Sequence, residues 1–98
     1  MKKQKFVSDI EVGVNRRFFQ VIEVLVSMRT IRSLSGFCDE LGLSAPRYRE
    51  MRQEYGVAPT PGRVSRYTSI NVEALCSVVS DYGVSGDWIL TGRGKMFK

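Results

Sequence analysis

The stretch LSGFCDELGLSAPRYREMRQ, Leu34 to Gln53, decides the fold. Leu34, Phe37, Cys38 and Leu41 recur at i, i+3, i+4 and i+7, the stripe of an amphipathic helix. Gly42 ends that helix where a left-handed backbone is easiest for a residue without Cβ. Leu43 is expected to be buried in the turn, and Ser44 to cap a second helix. Pro46 falls in the first turn of that helix, where its missing N–H costs nothing. Tyr48 and Met51, three apart, face back toward the first helix, which turns Arg47, Arg49, Glu50 and Arg52 outward. The stretch therefore reads as two short helices joined by a tight turn, with an arginine-bearing outer face.

Upstream, Phe18, Phe19, Ile22, Leu25 and Val26 recur at helical spacing and predict a first helix from about Asn15 to Met28. Asn15 is its expected cap, and Arg16, Arg17, Gln20 and Glu23 its solvent side. Arg29 and Arg32 follow at the entry to the second helix, which Ser33 is expected to cap. Residues 1–13 read as a basic arm, with Lys2, Lys3 and Lys5 leading a weakly alternating KFVSDIEV that could form a short strand before Gly13. The expected division is thus an arm over 1–13 and one domain over 14–98.

Downstream of Met51 lies RQEYGVAPTPGRVSRYTS, in which Gly56, Pro59, Pro61 and Gly62 end the helix and prevent another. Long ordered loops in compact domains often carry function, and Arg63 and Arg66, beside Tyr67, suit either phosphate contact or a solvated loop. A fourth helix is expected after Asn71 as cap, with Val72, Leu75, Cys76, Val79 and Tyr82 as its inner stripe and Gly83 at its left-handed end. Ser85 is expected to cap a fifth helix whose Trp88 is the largest core piece, packed on helices one and four. Thr91 to Gly94 close the domain before Met96 and Phe97.

At 98 residues the chain suits one domain with a modest core. Fifteen Lys and Arg against 10 Asp and Glu give +5 and a pI near 9.6, a balance that suits polyanionic partners and equally a plain basic surface. Arg47, Arg49, Arg52, Arg63 and Arg66 concentrate that charge between residues 44 and 66. No apolar run approaches the about 20 residues of a membrane span, and no signal-type apolar core follows the N-terminal lysines. A cytoplasmic location with no membrane contact is expected. Cys38 and Cys76 are both placed on inward faces, as reduced core thiols. The chain has no histidine, so neither a zinc site nor a histidine-based nucleophilic set is expected, and no enzyme, metal or cofactor.

These features resemble the lambda-repressor-like (Cro-type, XRE) helix-turn-helix family, over roughly Arg16 to Phe97. That family favours a small residue where the two helices cross, matched by Cys38, then glycine, matched by Gly42, and a branched or aromatic residue, matched by Tyr48. INVEALCSVVSDYGVSGDWILTGRGKMF, Ile70 to Phe97, is similar to its two closing helices. The family's frequent phosphate-binding Gln is replaced by Leu34, which passes that contact to Ser35 or to backbone amides.

The resemblance implies an all-α, five-helix domain with its helix-turn-helix at helices 2 and 3. It implies a sequence-specific regulator of double-stranded DNA, of phage or plasmid type and most simply a repressor. Helix 3 would enter the major groove, about 12 Å wide, by its N-terminus. Ala45, Pro46, Arg47 and Arg49 would then read bases, arginine by two parallel bonds to guanine. Arg32, Ser35, Ser44, Arg52, Arg63 and Arg66 would hold phosphates. A homodimer, at least on DNA, is implied, with helix five, Met96 and Phe97 as its surface, and no small-molecule ligand. The alternative is a protein-interaction module, an antitoxin or adaptor, that keeps the fold without the DNA face.

Overall fold

Ser8 opens the first helix: its hydroxyl accepts from the Glu11 backbone N–H at 3.1 Å, and the Glu11 carboxylate accepts from the Ser8 N–H at 3.4 Å. This reciprocal capping box starts α1 at Asp9, and α1 runs to Ser27. The expected start at Asn15 is therefore six residues late, and the segment from Asp9 to Val12 is helical rather than extended. Asn15 is not a cap. It is buried inside α1 and donates at 2.8 Å to the Thr68 carbonyl, 53 residues away. The computed structural model describes residues 7–98, so Lys2, Lys3 and Lys5 of the expected basic arm lie outside the described residues.

Four more helices follow: α2 (Leu34–Leu41), α3 (Ala45–Tyr55), α4 (Val72–Ser80) and α5 (Gly86–Thr91). Among the described residues the architecture is all-α, with no strand and one isolated antiparallel bridge, Val84 to Phe97. α1 ends in a Schellman arrangement, Thr30 N–H to the Leu25 carbonyl and Arg29 N–H to the Val26 carbonyl, which requires a left-handed residue. That residue is Arg29, at φ 61°. α2 ends the same way on Gly42, at φ 70°, with Leu43 N–H bonded to the Cys38 carbonyl. Ser33, Ser44 and Ser85 cap α2, α3 and α5 through their side chains, as the sequence predicts.

α1 is the central element, packed on α3 and α5, while α2 packs on α3 and α4. Phe18 sits at the middle of the core, its ring centroid 5.8 Å from Tyr48 of α3, 6.0 Å from Phe37 of α2 and 5.2 Å from Phe19. Arg17 does not face solvent as expected. Its Nε donates to the Ile89 carbonyl at 2.8 Å and its Nη2 to the Leu90 carbonyl at 3.1 Å, closing the end of α5.

Helix α4 is rotated from the expected face. Ala74, Ser77 and Val78 are buried, Leu75 and Val79 flank them, and Val72 and Cys76 are exposed. Cys76 is thus no core thiol, whereas Cys38 is fully buried and its thiol is pushed up to about 11 by burial and by Asp39. Ile89, not Trp88, is the buried anchor of α5, and Trp88 is half-buried against the core. Met96 and Phe97 are half-buried too, because Ser85 N–H bonds the Met96 carbonyl and Lys98 N–H bonds the Gly83 carbonyl. No helix of the described residues is long and apolar enough to cross a membrane.

Candidate functional site

Helix α3 presents three faces, and each meets a different environment. Tyr48, Met51 and Tyr55 are buried, with Ala45 at 9 % exposure beside them. Spacing of three and four residues then puts Arg47, Glu50 and Glu54 on one flank, and Pro46, Arg49 and Arg52 on the other.

The first flank is covered by the loop that follows. Gly56 ends α3, and no side chain fits there, since an added Cβ would lie 2.5 Å from the Arg52 carbonyl oxygen. The chain reverses through Thr60, whose N–H bonds the Gln53 carbonyl at 2.9 Å, and through Gly62, at φ 79°. It then returns along α3 as a strap. The Arg63 Nε donates to Gln53 Oε1 at 2.9 Å and the Ser65 N–H to Glu54 Oε1 at 2.7 Å. Arg66 meets Glu50 three times: its backbone N–H at 2.8 Å, its Nε at 3.3 Å and its Nη2 at 3.0 Å. Two guanidinium groups lie over the Tyr67 ring, Arg47 at 4.9 Å and Arg66 at 5.4 Å from its centroid. Arg47 Nη2 also donates to the Ser69 carbonyl at 3.2 Å, while its Nε is buried without a partner.

The strap ends where α4 begins. The Tyr48 hydroxyl donates to Asn71 Oδ1 at 2.6 Å and accepts from the Asn71 N–H at 2.8 Å. Asn71 therefore makes no side-chain cap on α4, contrary to expectation, and instead ties that helix to the middle of α3. Burial raises the Tyr48 hydroxyl above its usual value, and the bond to Asn71 works against that rise.

The sequence-derived site residues divide accordingly. Pro46, Arg49 and Arg52 are exposed on the free flank of α3, and Arg32 is exposed ahead of α2. Arg49 Nη1 donates to Ser35 Oγ at 2.9 Å, so two residues assigned to different contacts are one pair across the α2–α3 crossing. Ser44 Oγ is engaged by the Arg47 N–H as a helix cap. Arg47 and Arg66 are not free outward arginines: both are committed to the strap. Ala45 is too deeply buried to offer its methyl broadly.

Gln53, Tyr67, Glu50 and Asn71 are the organising residues; the sequence assigns Gln53 no role and presents the others only as a neighbour of the loop arginines, an outward carboxylate and a helix cap. Each acts on a residue 10 to 23 positions away, a separation at which helical periodicity carries no signal. Gln53 stands between two open clefts of about 420 and 430 Å³, the first lined by Arg49, Arg52 and Glu23, the second by Arg63, Arg66 and Glu50. Arginines thus border both sides of the exposed end of α3, each cleft containing one carboxylate. The Glu50 carboxyl is held below its ordinary value, first by the side-chain and then by the backbone hydrogen bond from Arg66. Such a surface can neutralise phosphates and offer planar donors to base edges. No family model, curated protein or solved structure matches this chain.

Proposed function

We propose that the chain is a sequence-specific, double-stranded DNA-binding transcriptional regulator, with α2, its turn and α3 acting as a lambda-repressor-like helix-turn-helix. The observation that carries this reading is the free flank of α3. Pro46, Arg49 and Arg52 lie open on a helix whose opposite face is locked into the core by Tyr48 and Met51. A rigid helix of about 10 Å diameter bearing planar donors suits the major groove.

Arg49 is then the principal base reader, with Ser35 holding its guanidinium, and Pro46 provides apolar contact to a thymine methyl. Arg52, Arg32 and Arg63 contribute phosphate contacts on either side. Arg47 acts indirectly, by fixing the strap against α3. A single domain of this size covers too little DNA for high specificity, so two copies would bind half-sites about 34–36 Å apart. Leu90, 52 % exposed on α5, is the apolar residue available for that pairing, since Met96 and Phe97 are largely used internally. A repressor acting in the cytoplasm by occupying its operator is the simplest form of this regulator.

Selection from a random duplex pool at two salt concentrations tests the proposal. The expected result is an enriched inverted repeat, with affinity falling steeply as salt rises. Failure to bind duplex DNA even at low salt would overturn it in favour of a protein-interaction module.

A further inference from the structure

Glu50 is the acidic residue at the edge of the open face of α3, one position beyond Arg49 and three before Gln53. Its side chain keeps 26 % of its exposure, so a bare carboxylate there would meet a polyanion laid against the helix. It is not bare: Arg66 gives it both a guanidinium fork and a backbone N–H, and Ser65 Oγ lies 3.5 Å away. Arg66 is itself 78 % exposed, yet its Nε and Nη2 both point at Glu50 rather than outward. The Tyr67 ring centroid lies 5.4 Å from that guanidinium, a cation–π contact that favours the same placement.

We propose that Arg66 is the built-in counter-ion of Glu50, and that the strap, by holding this pair closed, governs whether α3 can be laid against DNA. This rests on the DNA-binding reading above. In this role Arg66 does not hold a phosphate. It removes the repulsion that an unpaired carboxylate would impose on the reading helix, because like charges brought together at an interface oppose binding. Base discrimination then stays with Arg49, and Arg52, the other arginine of α3 that the strap leaves open, keeps its phosphate contact.

A double-mutant cycle on the full chain separates this role from direct phosphate contact. Wild type, R66A, E50Q and R66A/E50Q are compared for affinity to one mixed-sequence duplex at low salt, with thermal melts to verify folding. None of these substitutions touches the Ser65 N–H bond to Glu54, which should keep the strap anchored. R66A should bind about tenfold more weakly, and E50Q at least as tightly as wild type. The double variant should return to within about threefold of wild type. A double variant as weak as R66A would overturn the proposal and make Arg66 a phosphate ligand, with the salt slope lowered by about one. An R66A protein that binds like wild type would overturn it as well. If wild type itself fails to bind, the DNA reading falls and this role falls with it.

Discussion

The Tyr48 hydroxyl is the smallest group on which the site depends, because it both donates to and accepts from Asn71 in the interior between α3 and α4. Tyr48→Phe would leave the Asn71 N–H and Oδ1 without that partner, at a cost of about 1–3 kcal/mol. Denaturant unfolding should show the free energy of unfolding falling by that amount, through a lower midpoint at unchanged slope. Arg29 makes the opposite prediction. It occupies the left-handed position of a Schellman turn that glycine fills more cheaply. Arg29→Gly should therefore stabilise the domain by about 1 kcal/mol in the same assay. Arg49→Ala should leave stability nearly unaltered and relax preference at one base pair by about 1–3 kcal/mol. Competition binding against single-base operator variants measures that relaxation. These residues differ in how far the sequence discloses them. Gly42 and the capping serines act within a turn, so local spacing finds them. Asn71, Arg47 and Asn15 act on partners more than 20 residues away, and nothing local distinguishes them from caps or solvent-facing side chains.

At the scale of elements, α3 and the strap form one unit through the pairs Glu50–Arg66, Gln53–Arg63 and Glu54–Ser65. The Glu50 carboxyl is depressed in the folded protein, below its ordinary value of 4.5. Its stabilising contribution is therefore fully present above pH 4.5 and is lost as pH falls through the depressed value. An NMR titration of the Glu50 carboxyl carbon should give a midpoint below 4.5 in wild type, and a higher midpoint in Arg66→Ala, which loses the guanidinium but keeps the backbone N–H bond. The helices themselves show why some elements are legible and others are not. α2 and α3 carry one stripe each and a glycine stop, so their boundaries follow from the sequence. α4 carries two usable stripes, Val72–Leu75–Cys76–Val79 and Ala74–Ser77–Val78. Both meet the periodicity of an inner face, and only docking against α2 decides between them in favour of the smaller residues.

For the whole molecule, α1 acts as the spine: its two phenylalanines centre the core, Arg17 closes α5 and Asn15 holds the strap at Thr68. The same helix therefore supports the α2–α3 hairpin from behind and fixes the loop that borders it. That arrangement leaves Arg49, Arg52 and Arg63 exposed about the end of α3, while the exposed side of α4, with Val72, Glu73 and Cys76, carries no basic residue. In the proposed complex DNA meets the former and leaves the latter alone. Backbone and arginine Nε–H NMR shifts recorded while a duplex is titrated at low salt test this most directly. DNA seated on α3 should move Ser33–Gly36, Ser44–Gln53 and the Arg63 side chain and leave Val72–Ser80 unmoved. Changes centred on α4, or none at saturating duplex, would contradict that seating.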